Sequence, residues 1–262
     1  MGLPLTAKSF ATAPLELAPP PIAAGRRVSV WWKPHSATGL EAEVGSIVSD
    51  LAATDVLVYC GYAALPNGSF GVSPNATQQT WGNVTLCEAA VRQAAAAGLH
   101  ARIMVEGRAT LGFEAAVARG GARFGAEIAA IFGPKPFGSG LQGFNFDFEH
   151  KAGTHGAVGV SAEQYARFLR EVSGSLPPGL DVTVAAATGW PFMSNFSRLL
   201  SPGPVGGNAT ALLDMALYHG ANATQWAAQL AAAHANAAAE GAVVTRPFAY
   251  LRRRPIPAGR SV

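Results

Sequence analysis

The chain has 262 residues, 49% of them apolar, enough to bury a sizeable core and within the range of one α/β barrel. Its net charge of +3 comes from scattered Arg and Lys, with clusters only at Arg26-Arg27 and Arg252 to Arg254. It therefore lacks the basic face interleaved with aromatics that a nucleic-acid partner requires, and no apolar run approaches bilayer length, so a soluble protein is expected.

Met1 to Ala24 are rich in Pro and Ala, and Lys8, Glu16 and Pro19 to Pro21 interrupt the apolar stretch that a signal peptide needs. Residues 1–25 are expected to form a disordered leader, 26–250 one domain, and 251–262 a basic tail. From Arg27 onward, short β-branched or aromatic runs alternate with Ala-rich stretches of helical period, the pattern of repeated βα units around a parallel sheet. The expected strands are Val28 to Trp32, Asp55 to Cys60, Ala101 to Glu106, Gly143 to Phe148, Asp181 to Ala187, Leu213 to Tyr218 and Val243 to Tyr250. Between them, helices are expected at Glu41 to Leu51, Leu86 to Ala97, Phe113 to Ile131, Ala162 to Val172 and Thr224 to Ala239, each ending near Gly, Pro or polar residues. Gly61 to Gly82 reads as a long loop, of the kind that shapes or covers a site.

Six of the eight asparagines open an N-x-Ser/Thr sequon: Asn67, Asn75, Asn83, Asn195, Asn208 and Asn222. Chance would supply roughly one, so the excess points to a glycosylated protein of the secretory route, lysosomal, vacuolar or extracellular. Cys60 and Cys87 would close a moderate loop in an oxidising compartment; two buried thiols are the alternative.

The segment that carries chemistry is Leu141-Gln142-Gly143-Phe144-Asn145-Phe146-Asp147-Phe148-Glu149. On a strand, side chains alternate, so the three Phe share one face while Asn145, Asp147 and Glu149 share the other. Three phenyl rings suit a layer of helices. Three inward polar groups are costly unless they bind each other or a substrate. Two carboxylates spaced i, i+2 on one face couple, which raises the pKa of one and favours a protonated acid near neutral pH; Glu149, at the exposed strand end, is the natural acid.

Gln142 to Glu149 resembles the D-G-x-D-x-D-x-E signature of glycoside hydrolase family 18, with Asn145 in place of the second Asp, as in the lysosomal di-N-acetylchitobiases, and Gln142 in place of the first. That departure bears on support of neighbouring strands rather than on the reaction. The resemblance implies a (β/α)₈ TIM-type barrel in which this is the fourth strand, as counting from Arg27 also makes it, and it places Gly61 to Gly82 at the catalytic rim. Asp214-Met215-Ala216-Leu217-Tyr218-His219 is similar to the family's M-x-Y-D, which puts Tyr218 where a tyrosine holds the substrate's N-acetyl carbonyl. A weaker echo of the seventh strand is Pro247-Phe248-Ala249-Tyr250. After Tyr250 no eighth strand is legible, so the expected fold is an α/β barrel of about seven strands, incomplete at the C-terminus and open at one strand edge.

The implied reaction is retaining, substrate-assisted hydrolysis of β-linked N-acetylglucosamine oligosaccharides, either chitobiose and chitin fragments or N-glycan cores. Glu149, Asp147 and Tyr218 are the implied catalytic residues. Asn145, Trp31 and Glu106 are candidates for binding substrate, although a solvated strand end is the plainer reading of Glu106, and a core aromatic stands level with a sugar platform for Trp31. The alternative function is a noncatalytic, oligosaccharide-binding lectin of the same barrel family. No cofactor is expected, and His35, His100, His150, His155, His219 and His234 show no metal-ligand spacing.

Overall fold

A computed structural model describes residues 27–51, 53–73, 83–107, 110–134, 136–148, 159–186, 211–214 and 247–250. The leader, the tail and the helix expected at Thr224 to Ala239 lie outside the described residues.

Seven parallel strands carry the fold. They are β1 (Arg27–Trp32), β2 (Asp55–Val58), β5 (His100–Glu106), β6 (Leu141–Asp147), β7 (Asp181–Ala186), β8 (Ala211–Asp214) and β9 (Pro247–Tyr250). Two further short strands, β3 (Tyr62–Ala64) and β4 (Phe70–Val72), form an antiparallel hairpin. The parallel strands pair in chain order, and β9 lies beside β1, with Arg27 opposite Phe248 and Ser29 opposite Tyr250. The ring is thereby closed by seven strands among the described residues, one fewer than a full eight-stranded barrel. The strand edge expected to be open after Tyr250 is paired instead, which removes an edge that would otherwise invite intermolecular pairing.

Closure gives each strand an inner and an outer face, and period-2 alternation sorts the residues between them. Val30, Val56, Val58, Ile103, Val105, Phe144, Phe146, Val182 and Val184 belong to one buried cluster with the apolar faces of the helices. The buried polar and charged residues Ser29, Asp55, Arg102, Glu106, Asn145, Asp147 and Thr183 all fall on the opposite parity, and so face the lumen. Leu57 and Met104 share that parity and are buried apart from the cluster.

The helices cover the outside. They are α1 (Leu40–Leu51), α2 (Val84–Ala96), α3 (Thr110–Arg119), α4 (Gly121–Phe132) and α5 (Ala162–Ser175). Helix α5 begins with a capping box, Ser161 and Gln164 each satisfying the other's backbone N–H, and buries Tyr165, Phe168, Leu169 and Val172. Phe144 and Phe146 are fully buried under Phe124, Phe132 and Phe168, each such ring contributing roughly 2 kcal/mol of apolar burial.

Two expectations are corrected. The stretch Phe113 to Ile131, read as one helix, is two, because Gly120 at φ 94°, ψ 139° turns the chain. Its neighbour Gly121 packs so tightly on α5 that a Cβ would lie 2.1 Å from the carbonyl oxygen of Phe168, and the Gly121 N–H donates to Glu171 at 2.8 Å. The long loop from Gly61 is not structureless over its first part: it holds the β3–β4 hairpin. Tyr62 and Phe70 stack at 5.5 Å, and the Phe70 N–H donates to Glu127 of α4 at 2.8 Å. Residues 74–82 of that loop are outside the described residues.

Candidate active site

In a ring of parallel strands, the carboxyl ends form one rim and the amino ends the floor. Glu106 ends β5 and Asp147 ends β6, and the two are opposite each other in register, both on the lumen parity. They are only 5% and 6% exposed, so Glu106 is a buried carboxyl group beside Asp147 rather than a solvated strand end. Two acidic side chains are thus placed on neighbouring strands at the same level of the rim. The hairpin joins the same rim, since Ala63 of β3 pairs with Glu106.

One step deeper lies Asn145, fully buried, whose Nδ2 donates to the Thr183 hydroxyl of β7 at 2.9 Å. The Thr183 hydroxyl is itself within 3.4 Å of the Phe144 carbonyl oxygen, so Asn145 is held from the neighbouring strand. Its Oδ1 has no hydrogen-bond partner among the described residues. Thr183 was not among the candidates from the sequence. The signal was available: Asp181, Thr183 and Ala185 alternate with Val182 and Val184 in the same way that Asn145 and Asp147 alternate with the Phe residues.

Behind the strand, Tyr165 of α5 packs edge-on against Phe148 at 5.2 Å. Burial, and secondarily the charge of Asp147, push its phenol well above the ordinary tyrosine range, so it stays neutral at any physiological pH. Gly107, following Glu106, leaves no room for a side chain, since a Cβ would lie 1.8 Å from the Phe113 ring. That vacancy lets α3 cross the end of the strand.

Of the two adjacent tryptophans, Trp31 has the lumen parity and is partly buried, whereas Trp32 turns outward and donates from Nε1 to Glu43 of α1 at 2.6 Å. Glu149 and Tyr218 lie outside the described residues, as do Asn75, Asn195, Asn208 and Asn222. Cys60, just past β2, and Cys87 in α2 are joined as a disulfide, with Cα atoms 5.5 Å apart.

The lumen floor has a different composition. Arg102 is 2% exposed and donates through Nε and Nη2 to both carboxylate oxygens of Asp181, and through Nη1 to Asp55, all at 2.7 Å. Burial alone disfavours the guanidinium charge, but Asp181 and then Asp55 outweigh it and hold the group above its ordinary value. Gly143 makes room for this: a Cβ there would lie 2.1 Å from Asp181 Oδ1 and 2.3 Å from its carbonyl oxygen. Gln142, at the position of the signature's first Asp, meets His100 Nδ1 through its Oε1, which ties β6 to β5 below the site.

No protein-family model matches the sequence, and no curated protein matches it. Solved structures do. A chitinase from Bacteroides thetaiotaomicron aligns with a TM-score of 0.48 at 12% identity, over 72% of this chain and 53% of that one. A family 18 chitinase from Pseudoalteromonas aurantia aligns with a TM-score of 0.49 at 16% identity, over 71% of this chain and 66% of that one. A class V chitinase from Nicotiana tobaccum aligns with a TM-score of 0.46 at 12% identity, over 73% of this chain and 52% of that one. The chain thus spans between half and two thirds of the length of these three structures.

Proposed function

We propose that the chain is a glycosidase that hydrolyses β-linked N-acetylglucosamine oligosaccharides with retention of configuration. The observation that carries this reading is the buried carboxylate of Asp147 at the lumen rim, with Glu106 beside it in register and the fixed amide of Asn145 below. Buried acidic groups at the carboxyl ends of parallel strands suit a reaction in which positive charge develops on the substrate.

The signature at Gln142 to Glu149 supports the division of roles. Glu149 protonates the leaving glycosidic oxygen while the substrate's own 2-acetamido oxygen attacks the anomeric carbon, and then deprotonates the water that opens the oxazolinium. Asp147 orients the acetamido N–H and stabilises the oxazolinium charge, and Tyr218 hydrogen-bonds the acetamido oxygen. Glu106 adds a second acidic group beside Asp147 for contact with substrate, Asn145 presents its amide one step deeper, and Trp31 offers an aromatic face to a sugar ring. The signature with Asn145, similar to that of the di-N-acetylchitobiases, supports chitobiose, chitin fragments or N-glycan cores as the substrates to try.

Release of 4-methylumbelliferone from its N-acetylglucosamine and chitobiose glycosides tests the reading. Turnover that falls by about 10²–10⁴-fold in Glu149→Gln, and comparably in Asp147→Asn, is the expected result. Tight binding of chito-oligosaccharides without any turnover by the unaltered chain would replace the enzyme with a lectin.

A further inference from the structure

We propose that Asn67 carries an N-linked glycan, on a hairpin that springs from the rim beside the candidate site. Asn67-Gly68-Ser69 forms the tip of the β3–β4 hairpin, where the Gly68 N–H donates to the Leu65 carbonyl at 2.7 Å and the Leu65 N–H to the Ser69 carbonyl at 2.8 Å. Gly68, at φ 77°, presses one side of this turn against α3; a Cβ there would lie 2.5 Å from the Ala115 backbone. The other side presents Asn67, which is exposed.

The side-chain geometry suits an acceptor. Asn67 Oδ1 accepts from the Ser69 N–H at 3.0 Å and from the Ser69 hydroxyl at 2.6 Å, while Nδ2 makes no hydrogen bond among the described residues. A glycan on Nδ2 therefore displaces nothing in the folded chain, because the amide oxygen keeps both of its bonds. Asn83 shares the local pattern with Thr85, but it is half-buried and its Oδ1 also caps α2. The disulfide between Cys60 and Cys87 is an independent sign of the oxidising compartment in which such glycans are attached.

In the transfer, Nδ2 attacks the anomeric carbon of an oligosaccharide carried on a lipid diphosphate. The new C–N bond forms as the C–O bond to the diphosphate breaks, the diphosphate leaves with the electron pair, and Nδ2 loses one proton. Because β3 pairs with the end of β5 at Glu106, the hairpin that carries the glycan springs from the carboxyl-end rim and lays its turn against α3. This inference is independent of the glycosidase reading.

The test is expression of the full chain through a eukaryotic secretory pathway, followed by peptide mass spectrometry with and without peptide N-glycosidase treatment. The Asn67 peptide is expected to appear chiefly as the glycosylated form, converted to Asp by the enzyme. Asn67→Gln and Ser69→Ala each remove one glycan from the intact mass, and Ser69→Thr retains it. Secreted protein whose Asn67 remains unmodified, whether or not other sequons are occupied, overturns the assignment.

Discussion

The two ends of one lumen solve the problem of buried charge in opposite ways. On the floor, Arg102 sits between Asp55 and Asp181 and uses three N–H groups on them, so opposite charges meet with short, directed bonds. On the rim, two acids, Glu106 and Asp147, are placed in register beside each other. Oppositely charged groups that satisfy each other specify structure, whereas two acidic side chains side by side at the carboxyl-end rim suit a substrate on which positive charge develops. Chemistry is therefore expected above the layer of Asn145 and Thr183, not below it.

The largest effect is expected on the floor. Arg102→Met leaves Asp55 and Asp181 without their shared cation and should destabilise the chain by about 3–5 kcal/mol in urea unfolding, as breaking a buried pair does. If stability were unchanged, the floor would not be the structural half of the comparison. Next comes the disulfide, which ties the carboxyl end of β2 to α2 across a sequence separation of 27. Its removal in Cys60→Ala/Cys87→Ala should cost about 3–4 kcal/mol by loop-closure entropy, read as a lower denaturation midpoint.

A smaller and different effect is expected at the rim. Glu106→Gln keeps the shape but removes the acidic group beside Asp147. It should lower kcat/KM on the chitobiose glycoside about tenfold, with unfolding free energy altered by under about 1 kcal/mol. A variant that loses stability instead of activity would make Glu106 part of the scaffold. The smallest effect concerns Tyr165, whose folded-state pKa is raised by burial and by Asp147. Its neutral form is favoured in the fold, so stability is unaffected below the ordinary tyrosine value of 10.0 and falls as pH rises beyond it, where the unfolded chain ionises first. Tyr165→Phe should flatten the stability-versus-pH curve above that value and leave it unchanged at neutrality.

Much of the scaffold was legible because β-strand alternation is a local property. Phe144, Phe146 and Phe148 on one parity and Asn145 and Asp147 on the other announce a strand with helices on one side and a polar lumen on the other, and β1, β2, β5, β6 and β7 fall within the β-branched or aromatic runs, whereas β8, Ala211–Asp214, has neither and begins two residues before the strand expected from Leu213. The break at Gly120 was harder to read, since both flanking segments have helical period and only the approach of α5 to Gly121 requires the turn. The hairpin was missed because Tyr62 and Phe70 lie among Gly, Pro and Asn, and their stack becomes worthwhile only over the Phe residues of α4.

The amino-acid sequence by itself determined which residues share a strand face, because a period of two needs no partner, and so it placed Asn145 and Asp147 together. Only the tertiary structure decided how the lumen charges are distributed. Arg102 meets Asp55 across 47 residues and Asp181 across 79, Thr183 meets Asn145 across 38, and Glu106 meets Asp147 through register between two strands. The physical reason is closure of the ring. Until β9 pairs with β1 there is no inside, and a carboxylate without an inside is simply solvated.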